Sequence, residues 1–337
     1  MPDTSIKLCD VVFPDPIIPA SRTVGYGYDA VGIPDINKLS SLVLPGVTMK
    51  PDERETERIE NYKTASVLEP DYFTNPGVYR VQEERLPVLK ERYNRKTFAS
   101  VGGSTIEEYV KVAEILDRSD AVGFLELDSS CRNRDNSGIR FGQNATSLYK
   151  IINEVKYRVR KPVFAKLCPT VTNIRDMAQA AQDGGAEGIV IPGTRFGTDI
   201  DLASKKPVFS CDCRYDSYQL KPIIMRDVFE AFDAVGLIIV SCGGVNCAED
   251  ALKMIAAGAS LVQIDGCNAR SFCFGQNLLS TFRSNATIRY RKYQRFRGCR
   301  SPIIRSPFAA ASIRCAIFLV PSVFLSFCMF LQRLFLF

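Results

Sequence analysis

Eight short apolar runs alternate with amphipathic helical stretches along the chain, and this predicts an α/β fold, a (β/α)8 TIM barrel. Units of roughly 25 to 50 residues per strand and helix suit a barrel of ordinary size. The three longest connections, 48–96, 130–144 and 195–223, all follow strands. They would gather at the carboxyl face, where parallel α/β folds build their sites.

In chain order, the first two strands are expected at Pro16–Ala20 and Ser41–Val47, each an apolar run bounded by polar residues. Thr97–Gly102 is the third, followed by a helix over Thr105–Asp120. Gly123–Ser129 is the fourth and runs directly into a polar loop containing Cys131, Arg132 and Asn133; a helix follows at Ala145–Arg160. The fifth, Pro162–Cys168, carries Lys166 near its end and precedes a helix at Asn173–Gly184. Gly188–Thr194 is the sixth, Leu237–Cys242 the seventh and Leu261–Asp265 the eighth, with helices at Met225–Ala234 and Ala248–Ala257 between the last three. In Ala248–Ala257, apolar residues at 248, 251, 252, 254 and 255 form one helical face.

Composition excludes several chemistries. The 337 residues include no histidine, so His-based triads, His metal sites and imidazole proton shuttles are ruled out. Twelve cysteines without paired C-x-x-C spacing, and a start with no signal-peptide hydrophobic region, point to free thiols in a reducing, cytoplasmic setting. The closest pair, Cys211 and Cys213, reads as a surface loop rather than a metal site. The net charge of +6 conceals a split: residues 1–265 hold 32 basic and 37 acidic side chains, whereas 266–337 hold 11 basic and none acidic.

Carboxyl ends of parallel strands face the ligand, so Cys131 and Lys166 are expected to look into one pocket. A thiol exchanges protons only as far as its surroundings allow the thiolate, and Arg132 is the adjacent cation. The blander alternative makes Cys131 a small buried thiol. For Lys166, a lysine between apolar neighbours in a buried strand needs an anionic partner. That partner is either a bound cofactor or a carboxylate on the neighbouring strand, Glu126 or Asp128.

The ordered motifs resemble those of the class 1 dihydroorotate dehydrogenase family. Asp15-Pro16-Ile17-Ile18-Pro19-Ala20-Ser21 resembles the family's NPIIPAS opening, and Thr74-Asn75-Pro76-Gly77 its QNPG turn. Leu127–Asn133 resembles LNISCPN, Val163–Ile174 resembles YVKLSPNVTDI, and Gly243-Gly244-Val245 resembles the GGV phosphate turn. The resemblance implies an FMN-dependent barrel over 1–270 that oxidises dihydroorotate to orotate in pyrimidine biosynthesis. It makes Cys131 the base and sets Lys166 against the flavin, with further cofactor contacts from Ala20, Ser21, Gly243 and Gly244. Asn133 and Thr194 become substrate contacts. Gly138–Gly142 and Asp201–Val208 lean toward subclass 1B, which implies an electron-transfer subunit carrying FAD and an iron–sulfur cluster. A homodimer is compatible with this, and no nucleic-acid partner is expected. The lysine strand is also similar to the flavin domain of dihydropyrimidine dehydrogenase, which leaves a related dihydropyrimidine substrate as an alternative.

Several positions depart from that pattern. Glu69, Asp128 and Gly193 stand where the family has substrate-binding asparagines, Pro45 replaces a lysine, and Ser241 replaces a glycine of the phosphate turn. Asp265-Gly266 replaces the family's phosphate-binding glycine–threonine, and Arg214-Tyr215-Asp216-Ser217 replaces a glycine-rich flavin loop. Two carboxylates would repel an anionic substrate unless they are protonated. These losses predict weakened FMN and orotate binding, and a degenerate barrel homologue is the alternative reading. Residues 271–337 are expected to form an atypical tail, basic and aromatic over Thr281–Arg300, then apolar over Cys315–Leu331. It reads either as a membrane-contacting anchor or as a stretch that is not a native-like fold element.

Overall fold

The computed structural model describes residues 4–27, 35–54, 59–60, 66–71, 74–132, 134–209 and 212–264. The expected tail and the Asp265-Gly266 turn lie outside them. The described chain opens with a hairpin, β1 (Ile6–Leu8) and β2 (Val11–Phe13), whose turn residues Cys9 and Asp10 both take positive φ. The strands that follow are β3 (Ile17–Pro19), β4 (Ile59–Glu60), β5 (Ser66–Pro70), β6 (Thr97–Val101), β7 (Val122–Asp128), β8 (Val163–Lys166) and β9 (Gly188–Ile191). After them come β10 (Arg195–Gly197), β11 (Ile200–Asp201), β12 (Lys206–Pro207), β13 (Cys213–Ser217), β14 (Ile238–Cys242) and β15 (Leu261–Ile264).

Seven of these form one curled sheet in the order β3-β15-β14-β9-β8-β7-β6, parallel throughout. Sequential βα units feeding neighbouring parallel strands are the logic of the (β/α)8 barrel. The eighth position belongs to Ser41–Val47, and here expectation and structure differ. The segment makes isolated parallel bridges, Val43 to Phe98 and Val47 to Val101, instead of a regular strand. Pro45 has no N–H to donate and interrupts the ladder midway. On its other edge the Ser21 hydroxyl donates to the Leu44 carbonyl at 3.0 Å, tying the segment to the end of β3.

Alternation along the strands stacks the interior in layers. Phe13 from the hairpin, Phe98, Phe124 and Phe164 are fully buried and fill one end. Phe98 and Phe124 stack at 4.4 Å between centroids, and Phe164 meets both edge-on. Two residues further along the same strands come Ser100, Glu126 and Lys166, so an apolar floor carries a polar layer.

Helices cover the outside: α3 (Ile106–Asp117), α4 (Ala145–Arg158), α5 (Ile174–Asp183), α6 (Lys221–Ala234) and α7 (Ala248–Ala257). Each lies within a residue or three of its expected span except α6, which begins four residues early. Pro222 sits in its first turn, where a missing N–H costs nothing. The Thr105 and Asn144 side chains accept from the Glu108 and Ser147 N–H groups and so cap α3 and α4. Inside the long 48–96 connection lies a further helical stretch absent from the sequence reading: α1 (Val78–Arg80), a π-turn at Val81–Arg85, and α2 (Leu86–Arg92). The wider turn immediately precedes Pro87, which cannot donate to an α-helical ladder.

The same long connections supply a small antiparallel sheet, β10-β13-β5-β4. Cys213 opens β13 and is fully buried, so the expected surface loop at Cys211–Cys213 is corrected here; Cys211 lies outside the described residues. Among the described residues, no helix is long and apolar enough to cross a membrane, and no group of Cys, Asp and Glu is arranged to hold a metal.

Candidate active site

At the carboxyl ends of the strands, Ser21, Gly46, Ser100, Asp128 and Lys166 line one cavity, completed by Arg22, Thr74 and Arg214 from the connections. Lys166 ends β8 and is paired in register with Asp128, which ends β7. Its ammonium lies 3.3 Å from Glu126 Oε1, and Glu126 is fully buried, accepting a second bond from Gln263 Nε2 at 2.8 Å. Burial alone would push the Lys166 pKa down. The Glu126 carboxylate, joined by Cys242 and Asp128, outweighs this and holds the lysine above its ordinary value. Lys166 therefore has the carboxylate partner that one sequence reading required, while still lining the cavity.

The two carboxylates that replace family amides differ in their partners. Glu69 Oε1 lies 3.0 Å from Arg22 Nη1 and 4.0 Å from Arg214 Nε, so two guanidinium groups face it. Asp128 Oδ1 accepts from the Ser130 N–H at 3.0 Å and from its hydroxyl. Glu69 thus has cationic partners that the sequence did not reveal, whereas Asp128 is held by hydrogen bonds from Ser130. Arg22 was not singled out from sequence. Its partner is 47 residues away, and nothing local marks the pair. Arg214 lies in register with Glu69 across β13 and β5 and borders the cavity beside Lys166 and Asp128.

Cys131 sits on the loop after β7, partly buried, beside the fully buried Tyr109. The Tyr109 hydroxyl donates to the Asp128 carbonyl and also contacts the thiol. Burial first, and the Asp128 carboxylate next, push the Cys131 thiol up to about 12. The adjacent Arg132 does not counter this: its guanidinium pairs with Asp212. The expected cation beside the thiol is therefore engaged elsewhere.

The remaining expected contacts are dispersed. Ala20 is buried and donates its N–H to the Ile264 carbonyl at 2.8 Å. Gly243 and Gly244 form the turn after β14, with φ of 78° and 68°. A Cβ on Gly244 would meet Ile224 Cδ1 at 2.8 Å and Lys221 Cα at 2.9 Å, so the turn requires glycine twice over. Gly243 donates its own N–H to the Gln263 carbonyl at 3.0 Å, so that amide does not face a phosphate. The half-buried Thr194 gives its carbonyl to Arg195 Nη1 at 3.0 Å. Asn133 lies outside the described residues.

Residues 4–275 match the family model described as dihydroorotate dehydrogenase. The catalytic subunit of dihydroorotate dehydrogenase B (NAD(+)) from Geobacillus sp. (strain WCH70) is 35% identical over 269 residues, spanning 78% of this chain and 84% of that protein. The same subunit from Bacillus pumilus (strain SAFR-032) is 35% identical over 269 residues, 78% and 85% of the two chains. A putative dihydroorotate dehydrogenase A (fumarate) from Aquifex aeolicus (strain VF5) is 33% identical over 272 residues, 79% and 88%. The chain belongs to the dihydroorotate dehydrogenase family. Members are oxidoreductases built on the TIM barrel, which is the architecture found here.

The donor set can be tested against the flavin that membership implies. A strand-end ammonium held charged beside Ser21 and Ser100 suits the electron-rich edge of a reduced flavin ring. At the Gly243-Gly244 turn, glycine lets the backbone pack against Ile224 and Lys221 of α6. The residues present fit the group at its ring end, where Lys166 stands, while at the phosphate turn the Gly243 amide is already bonded to Gln263.

Proposed function

We propose that this dihydroorotate dehydrogenase family member is an FMN-dependent enzyme that oxidises dihydroorotate to orotate in pyrimidine biosynthesis. The observation that carries the reading is Lys166, a cation locked by Glu126 at the floor of a cavity made from strand ends. FMN, when bound, supplies the hydride acceptor. The chain supplies the rest. Lys166 stabilises negative charge gathering at its ammonium, and Ser21 orients what rests on the end of β3. Gly243 and Gly244 shape the phosphate end. Cys131 takes the proton released from substrate carbon at Sγ, which requires the thiol to have lost its own proton first. Asn133 and Thr194 contact the substrate ring. Arg22 and Arg214 offset Glu69, so the cavity tolerates an anionic substrate despite the lost amides.

The likeness to proteins named as catalytic subunits of an NAD(+)-linked enzyme supports a separate electron-transfer subunit, which on this proposal carries FAD and an iron–sulfur cluster and works with the chain in the cytoplasm. On this proposal the catalytic unit is 1–270 and 271–337 an appendage; the family match covers residues 4–275.

A second reading, a barrel that has kept its fold but turns over slowly, is favoured by two observations. The Cys131 thiol is pushed up to about 12, and Gly243 gives its amide to Gln263. Purification separates the two. Yellow protein with near-stoichiometric flavin, bleached anaerobically by dihydroorotate, is the expected result. Colourless protein that takes up no added FMN would rule the enzyme out.

A further inference from the structure

The most heavily bonded cation near the site is one the proposed reaction does not use. Arg140 lies at the end of the connection after β7 and is 5% exposed. Its Nη2 lies 2.7 Å from Asp71 Oδ2 and 3.1 Å from Asp212 Oδ2, while Nη1 donates to the Ser130 carbonyl. The guanidinium carbon stands 3.9 Å over the ring of Phe196. These partners come from different connections: Asp71 follows β5, Ser130 follows β7, Phe196 is in β10 and Asp212 precedes β13. One guanidinium thus joins all three long connections of the carboxyl face. Arg132 adds a second cation on Asp212, so the cluster of two arginines and two aspartates is neutral.

We propose that Arg140 is a positioning residue: by gripping the Ser130 carbonyl while anchored on Asp71 and Asp212, it fixes the loop that presents Cys131. The inference rests on the reading of Cys131 as proton acceptor. Its geometric core does not depend on that reading. The loop backbone is bonded on both sides of the thiol, with Phe141 N–H to the Cys131 carbonyl at 3.2 Å and Gly142 N–H to the Ser129 carbonyl at 2.8 Å. Both bonds come from residues directly following Arg140, so displacing the guanidinium loosens the whole register. A lysine here would keep the charge and reach one carboxylate. It lacks the fork needed to hold two carboxylates and a carbonyl together, and the flat face that stacks on Phe196.

The test uses the full chain carrying Arg140→Ala, Arg140→Lys and Asp212→Asn, with iodoacetamide labelling read cysteine by cysteine by mass spectrometry. Cys168 and Cys213 are buried and serve as internal references. In Arg140→Ala, Cys131 labelling should rise about tenfold or more, as expected when a packed loop opens locally, while Cys168 and Cys213 stay unlabelled. Arg140→Lys should restore part of the protection, and Asp212→Asn should lose a smaller part of it. In flavin-loaded protein, Arg140→Ala should lower the rate of bleaching at saturating dihydroorotate with flavin content unchanged. Unchanged Cys131 labelling in Arg140→Ala overturns the proposal, and so does parallel labelling of Cys168 and Cys213. If labelling responds as stated but wild-type protein is never bleached, the clasp stands and the dihydroorotate reading fails.

Discussion

Asp128→Asn returns an amide to a position where the family carries one, and its effect on Cys131 can be worked out in advance. The thiol stands at about 12 instead of its ordinary value near 9, with burial the first cause and the Asp128 carboxylate the second. Taking a separation on the order of 8 Å for groups three residues apart, and an effective permittivity of about 20, a unit charge is worth about 2 kcal/mol, or about 1.5 pK units. The asparagine Oδ1 can still accept from Ser130, so loop geometry should persist while the charge is gone. At pH 8 the thiolate fraction, about one in ten thousand in the wild type, should rise about thirtyfold. The less basic thiolate is also a weaker nucleophile, which reduces the gain in alkylation rate to about sevenfold. The assay is the rate of iodoacetamide reaction at Cys131 from pH 6 to 10.5. Wild-type rates should climb throughout without a plateau, and the variant should begin to level near the top of that range. An inflection near pH 8 in the wild type would refute the argument, because it would mean that burial and charge do not hold the proton on the thiol. Identical profiles for the two proteins would refute the role given to Asp128.

Other perturbations address the rest of the site. Lys166→Met leaves Glu126 buried without its cation and should cost about 3–5 kcal/mol, lowering the melting temperature by about 10 °C. Adding Glu126→Gln should recover most of that loss, and a double variant no more stable than the single would show that the pair is not coupled. Gly244→Ala forces a Cβ to 2.9 Å from Lys221 Cα at φ 68° and should cost about 2 kcal/mol, with FMN titration by fluorescence showing weaker uptake. Phe124→Ala removes a ring stacked at 4.4 Å in the barrel floor and should cost about 3–5 kcal/mol in chemical denaturation.

What the sequence made legible follows from the range of the forces involved. Strands β6 to β9, β14 and β15 and the outer helices were readable because hydrophobic period and capping residues such as Asn144 are local signals. The Ser41–Val47 strand was over-read: its apolar run is genuine, but Pro45 removes one ladder donor in the middle of it. The π-turn before Pro87 carries no periodic signal and was missed. At the site, Cys131 and Lys166 were visible as residue types out of place at strand ends. Their protonation was not, because it depends on which charges the fold assembles. Arg132 looked like the natural partner of the thiol from adjacency alone, yet it faces Asp212, 80 residues on. Glu69 looked like a repulsive replacement until Arg22 and Arg214 were brought to it.

The pairing of β3 with β15 sets the schedule on which this barrel can form. Ile17 lies in register with Val262, and the Ala20 N–H bonds to the Ile264 carbonyl. The first strand of the sheet therefore lacks a neighbour on that edge until almost the whole barrel sequence has been synthesised. At about 5–20 residues per second, the wait lasts roughly 12–50 seconds. Throughout that interval an apolar strand, Ile17-Ile18-Pro19, has an unfilled edge on the nascent chain. Pro16 precedes it and Pro19 ends it, each lacking an N–H with which to recruit a foreign strand. The prolines that open the family motif thus double as protection for a strand that must wait for the last one to arrive.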